Sequence, residues 1–100
     1  MGGRSMSGIG QGLWDEIILL AKQHGIKKLI LFGSRARGDF KKTSDIDLAV
    51  SGGETASFLL DVDEDTSTLL KYDIVDLDGY VEPELLDSIR REGVVIYEEI

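Results

Sequence analysis

The hydrophobic positions of this chain alternate between helical and strand-like spacing. Over residues 13–23 the apolar side chains recur every three to four positions, which predicts an amphipathic helix ending near Gly25. Residues 28–32 form a short apolar run, typical of a buried strand, and residues 34–37 are predicted to form a short helix. The further predicted elements are a strand at 44–50, a helix at 55–70, a strand at 72–77, a helix at 84–91 and a strand at 94–97.

This alternation predicts an α/β domain built on a small mixed β-sheet, with helices on one face. The other face is expected to stay partly open, because polar side chains of the strand at 44–50 point towards it. At 100 residues the chain has room for one modest core. The expected organisation is a flexible, Gly- and Ser-rich N-terminal leader at residues 1–10 and a single domain at residues 11–100.

Composition excludes several classes of protein. No apolar run is long enough to cross a bilayer, and the N-terminal residues lack the apolar segment of a signal peptide. Cysteine is absent, which excludes disulfides and thiolate metal sites and fits a cytoplasmic protein. We therefore expect no association with a membrane.

The net charge of −8 is unevenly distributed. The first fifty residues hold eight Lys or Arg against five Asp or Glu, whereas the last fifty hold three against 14. A compact basic cluster can hold a triphosphate, while the acidic remainder repels a nucleic-acid backbone, so no direct nucleic-acid binding is expected. The basic cluster consists of Arg35, Arg37, Lys41 and Lys42.

The most informative polar pattern pairs a Gly-Ser turn with two aspartates. Asp45 and Asp47 lie on the same side of their predicted strand, opposite Ile46. Two adjacent carboxylates repel each other unless a cation lies between them, and oxygen ligands suit Mg²⁺, which keeps positions open for phosphate. Gly33 and Ser34, at the start of a helix, offer backbone N–H groups and a hydroxyl to an anion. The combination predicts a site for a metal–nucleoside triphosphate.

This combination of Gly-Ser, a spacer and Asp-x-Asp resembles the nucleotidyltransferase superfamily that includes DNA polymerase beta. Over about residues 11–97 the chain is most similar to the minimal nucleotidyltransferases, often called MntA-like antitoxins. The resemblance implies transfer of AMP from ATP to a hydroxyl, with two Mg²⁺ ions held by Asp45 and Asp47. It also implies that Gly33 and Ser34 bind the phosphates of the leaving pyrophosphate.

In the superfamily a third carboxylate comes from a later strand. Asp76, flanked by apolar residues in the strand at 72–77, matches that position, and Asp73 and Asp78 are its competitors. Asp76 is therefore predicted to complete the metal site and to help remove the proton of the acceptor hydroxyl. Arg35 and Arg37 are predicted to contact phosphate or a partner, with a solvated turn as the alternative.

The resemblance also implies a partner that supplies the acceptor. In the minimal group this is typically a small helical HEPN protein, often a ribonuclease toxin, which is silenced when one of its tyrosines is adenylylated. Two alternatives stay open: modification of a small molecule such as an aminoglycoside, and a non-catalytic antitoxin that acts by binding. A homo-oligomer is compatible with either.

Overall fold

The structure, a computed structural model that describes residues 7–99, contains four helices and four strands in alternation within that range. None of these helices is long and apolar enough to cross a membrane. In chain order the elements are α1 (Gln11–Gln23), β1 (Lys28–Phe32), α2 (Ser34–Arg37), β2 (Ile46–Ser51), α3 (Thr55–Asp65), β3 (Tyr72–Asp76), α4 (Pro83–Glu92) and β4 (Val94–Glu98).

The four strands form one mixed sheet in the order β3-β2-β1-β4. β1 is antiparallel to both of its neighbours, β2 and β4, whereas β2 and β3 are parallel and joined through α3. A parallel crossover brings the first residues of both strands to the same end of the sheet. As a result, residues at equivalent positions in β2 and β3 become neighbours.

One face of the sheet carries the main core, covered by α1 and α3. Trp14 and Ile17 of α1 and Phe58 and Val62 of α3 are completely buried, and they pack with strand residues such as Leu48. Burial of these large apolar side chains provides most of the driving force for folding. The helical spacing that predicts α1 therefore corresponds to its buried face.

The predicted mixed α/β sheet is confirmed, but its helices do not all lie on one face. Ile89 of α4 packs against Phe32 and Ala49 on the opposite face, with Val75 and Leu77 beside them. Because β3 contributes apolar side chains to both faces, Ile74 to the main core and Val75 to the other face, α4 has a surface to pack on. This helix covers part of the face that the sequence pattern leaves open.

The described part of the predicted leader packs against the domain. Ile9 is 2% exposed and belongs to the main core, and the backbone carbonyl of Ser7 accepts a hydrogen bond from Arg35 Nη1 at 2.9 Å. Residues 1–6 lie outside the described residues. The folded unit thus extends at least to Ser7, rather than beginning at residue 11.

Candidate active site

The site is centred on a close approach between a glycine and an aspartate. Asp47 is the register partner of Phe32, the last residue of β1, and Gly33 follows directly. Gly33 has φ 77° and ψ −157°, a conformation that is essentially restricted to glycine. A Cβ atom at this position would overlap the Asp47 carboxylate. The conformation of the turn into α2 and the position of the Asp47 carboxylate therefore depend on each other, and only a glycine leaves room for the carboxylate.

Three carboxylates meet at this end of the sheet. Asp47 is half-buried, Asp45 is exposed just before β2 begins, and Asp73 is the register partner of Asp47 on β3. The pKa of Asp47 is raised from 3.8 to about 6, first by burial and then by the negative charges of Asp73 and Asp45, while the charge of Arg37 opposes these effects. The site thus carries an excess of negative charge that a bound cation would relieve.

The structure does not bring Asp76 to this cluster. Its register partner is Val50, three residues further along β2 than Asp47, and the alternation of β3 places it on the opposite face from Asp73. Asp76 shapes a turn instead: its Oδ1 accepts the backbone N–H of Asp78 at 2.9 Å. The predicted placement of Asp76 is therefore corrected, and the β3 carboxylate next to Asp47 belongs to Asp73.

The strand bounds of the structure explain why Asp73, and not Asp76, lies next to Asp47. Asp47 is the second residue of β2 and Asp73 is the second residue of β3. Since parallel strands joined by a helix start at the same end of a sheet, the equivalent position in each strand is the one to compare. The apolar neighbours of Asp76 favour it as a ligand only if one face of β3 is assumed to be solvated.

Arg35 has a structural role in place of the predicted phosphate contact. Its side chain is 3% exposed and donates to the backbone carbonyls of Ser44 and Ser7 at 3.1 and 2.9 Å. It also donates to the carbonyls of Lys41 and Lys42 at 3.4 and 3.2 Å. Burial lowers its pKa below the ordinary value. The guanidinium therefore holds the loop between α2 and β2, which ends at Asp45.

Arg37 is the exposed cation of α2. It forms ion pairs with Asp39 at 3.3 Å and with Glu92, at the end of α4, at 3.1 Å. These hydrogen bonds raise the pKa of Arg37, and its charge lowers that of Asp47. Arg37 is thus positioned between the carboxylate cluster and the end of α4, where its charge acts on the site.

Carboxylate oxygens are the donors that this site offers to a metal. Within residues 7–99, no group of three His, Asp or Glu side chains is arranged to enclose an ion by itself. Mg²⁺ is commonly bound by one or two carboxylates together with water and substrate phosphates. The donor set therefore fits an ion that is shared with a bound phosphate chain.

A separate groove of about 540 Å³ lies between α4 and β1. Its walls include Lys28, Ser51, Leu77 and Arg90. Ser51 is at the far end of β2 from Asp47, so the groove is not part of the carboxylate site.

Similarity to characterised families agrees with this geometry. The family model described as "Polymerase beta, Nucleotidyltransferase" matches residues 15–99. Two proteins of Methanocaldococcus jannaschii named "Putative protein adenylyltransferase", MJ0604 and MJ0435, are 45% and 40% identical to the chain over 90 and 88 residues. Each alignment covers 79% of this chain, and they cover 87% and 88% of the two relatives.

Solved structures share the fold. A "putative minimal nucleotidyltransferase" superposes with a TM-score of 0.64 and 28% identity, over 84% of this chain and 89% of that chain. A toxin–antitoxin crystal structure with AMP-PNP gives a TM-score of 0.66 and 23% identity, over 86% and 73%. The family model and both relatives cover most of the chain, so the predicted resemblance is confirmed. The chain belongs to the polymerase beta family of nucleotidyltransferases and is a nucleotidyltransferase with the minimal fold of that family.

Proposed function

We propose that this nucleotidyltransferase uses Mg²⁺ and ATP to transfer AMP to a hydroxyl group of a partner protein. The observation that carries the proposal is the cluster of Asp45, Asp47 and Asp73 beside the turn at Gly33 and Ser34. Negative charges that raise the pKa of the half-buried Asp47 favour occupation of the site by a divalent cation. A neighbouring turn that is free of side-chain bulk favours a phosphate chain next to that cation.

Each carboxylate has a proposed role. When bound, a pair of Mg²⁺ ions would supply charge stabilisation to the attacking and leaving oxygens of an in-line displacement at the α-phosphorus of ATP. Asp45, directly before β2, and Asp47, within it, would hold both ions. Asp73 replaces Asp76 as the proposed third ligand, and it would also accept the proton of the acceptor hydroxyl.

The turn and α2 have the proposed role of binding the outer phosphates. Gly33 makes room for the Asp47 carboxylate, and the Ser34 hydroxyl and backbone follow it at the start of α2. Arg37 adds a positive charge near the carboxylates. Arg35 supports this surface indirectly, because it fixes the loop that leads to Asp45.

The names of the relatives support a protein acceptor. Both Methanocaldococcus proteins are named as protein adenylyltransferases, and similar folds occur in toxin–antitoxin crystal structures, one of them with AMP-PNP. We propose a HEPN-type helical toxin as the partner and an antitoxin role for this chain.

Nucleotide binding is the first test. Calorimetry with AMP-PNP is expected to show binding that strengthens with Mg²⁺ and is largely lost in the Asp45→Asn/Asp47→Asn variant. Equal affinity with and without the metal would contradict the proposed site.

The choice between Asp73 and Asp76 has a matched pair of variants. Both residues are exposed aspartates of the same strand, but only Asp73 adjoins Asp47. Asp73→Asn is expected to reduce the transfer rate by a hundredfold or more while AMP-PNP affinity changes by a few-fold, whereas Asp76→Asn stays near the wild-type rate. The opposite ranking of the two transfer rates would identify Asp76 as the third ligand.

The acceptor is tested with labelled ATP. When the chain is co-expressed with the protein encoded next to it and incubated with ATP labelled on the α-phosphate, AMP is expected on that protein, with release of pyrophosphate. Label on an added aminoglycoside would favour small-molecule modification. Inhibition of a toxin by the Asp45→Asn/Asp47→Asn variant would favour an antitoxin that acts by binding alone.

A further inference from the structure

Tyr80 is an exposed residue that directly follows an ordered turn after β3. Its side chain is 86% exposed, and its hydroxyl has no hydrogen-bond partner among residues 7–99. The turn before it is held in place: Asp76 accepts the backbone N–H of Asp78, and Asp78 Oδ2 accepts the N–H of Gly52 at 2.7 Å. An ordered turn that presents one unpartnered phenol offers this hydroxyl to a second molecule.

The other two tyrosines of the chain are engaged within the fold. The Tyr72 hydroxyl is hydrogen-bonded to Thr66 Oγ1 at 2.7 Å, and burial is the main cause that raises its pKa. Tyr97 is half-buried, with the ammonium group of Lys22 at 5.8 Å from the centre of its ring. Tyr80 is therefore the tyrosine that a nucleotide held by another protein can approach.

Tyr80 cannot reach the carboxylate site of its own chain. Tyr80 precedes the first residue of α4, whereas the last residue of this helix, Glu92, is paired with Arg37 beside that site. A helix of 10 residues is about 15 Å long, so the length of α4 separates the phenol from the site. A reaction at Tyr80 needs the site of a second copy.

Two surface segments of the molecule carry opposite charge. Residues 76–84 contain four acidic and no basic side chains. Residues 36–44, in the segment that leads to Asp45, contain three basic side chains and one acidic one, and Arg37, Lys41 and Lys42 are exposed. Because a patch of one sign steers towards a patch of the other, the turn of one copy is attracted to the rim of the site of another.

From this geometry we propose that Tyr80 is an acceptor of AMP in a reaction between two copies of this chain. The inference rests on the proposed function. The Tyr80 oxygen attacks the α-phosphorus of ATP bound to the second copy, the bond from that phosphorus to the bridging oxygen of the β-phosphate breaks, and pyrophosphate leaves. The phenolic proton passes to Asp73 of the second copy and from there to solvent. A phenol suits this step because it ionises more readily than the alcohols of Ser and Thr.

Mass spectrometry of the full chain incubated with ATP and Mg²⁺ tests the proposal. We expect a fraction of the molecules to gain one adenylyl group, mapped to Tyr80 by peptide sequencing, and the initial rate per molecule to rise with protein concentration. Tyr80→Phe removes this adduct, whereas the matched variant Tyr97→Phe retains it. Added salt slows the reaction, because it screens the opposite charges.

A mixing experiment identifies the donor and the acceptor. When Asp47→Asn, which keeps Tyr80 but lacks a central carboxylate, is mixed with Tyr80→Phe, label is expected on the Asp47→Asn chain. A labelling rate per molecule that is independent of concentration would overturn transfer between copies. Absence of label at Tyr80, while the wild-type chain modifies another protein, would overturn this inference and leave the proposed function intact. A chain that binds no nucleotide and transfers to no acceptor would overturn both.

Discussion

Replacement of Gly33 with alanine measures how strongly the turn and Asp47 depend on each other. The φ and ψ of Gly33 lie in a region that costs other residues about 1–3 kcal/mol. The new Cβ would also overlap the Asp47 carboxylate, whose Cγ is 3.0 Å away, and relief of such overlap costs about 1–3 kcal/mol more. We expect the free energy of unfolding to fall by about 2–6 kcal/mol, measured by urea denaturation with circular dichroism.

Gly38, at the other end of α2, provides the matched control. It also has a positive φ, 95°, but no atom lies within 4 Å of a Cβ built there. Gly38→Ala therefore carries backbone strain alone, about 1–2 kcal/mol. Gly33→Ala should be the more destabilising of the two, and it alone should weaken Mg²⁺-dependent AMP-PNP binding, because it displaces the Asp47 carboxylate.

A double-mutant cycle with Asp47→Ala separates overlap from strain. In the Asp47→Ala background the carboxylate is gone, so the cost of Gly33→Ala should fall to the strain of about 1–3 kcal/mol. The coupling energy is then about 1–3 kcal/mol, the cost assigned to overlap. If Gly33→Ala costs the same in both backgrounds, the contact with Asp47 is not the reason for a glycine here.

Two further predictions concern pH and the loop. Because Asp47 has its pKa raised from 3.8 to about 6, the folded state favours its protonated form, so the contribution of Asp47 to the stability of the metal-free protein is fully present below pH 4 and is lost as the pH rises through 6. A pKa shift of this size corresponds to about 3 kcal/mol of unfolding free energy at most, and solvent screening reduces it to about 1–2 kcal/mol for a half-exposed group. In a pH series of urea denaturation curves, Asp47→Asn should remove this loss of stability. The same pH dependence in the variant and the wild type would contradict the prediction. Arg35→Lys cannot reach all four backbone carbonyls and should cost about 2–3 kcal/mol, whereas Arg37→Lys, at an exposed position, should leave the unfolding free energy near that of the wild type. Equal destabilisation by the two lysine variants would contradict the structural role of Arg35.

Local sequence determines the parts of the site that are close together in the chain. The bounds predicted for β1 and α2 match the structure to the residue, because an apolar run stops abruptly at Gly33 and Ser34. The spacing of Asp45 and Asp47 places both carboxylates next to that turn, and it needs only the alternation of side chains along a strand. These residues carry the resemblance to the nucleotidyltransferases, which is why the family is evident from the sequence.

Tertiary structure decides which distant residues join them. Asp73 and Asp76 are both plausible ligands in the sequence, and only the pairing of β2 with β3 places Asp73 beside Asp47. Arg35 resembles a phosphate ligand until the fold brings the carbonyl of Ser7 to its guanidinium. Side-chain periodicity tells which residues share one side of an element. It does not tell which sides meet, because strand register and the positions of helices depend on long-range packing of the whole chain.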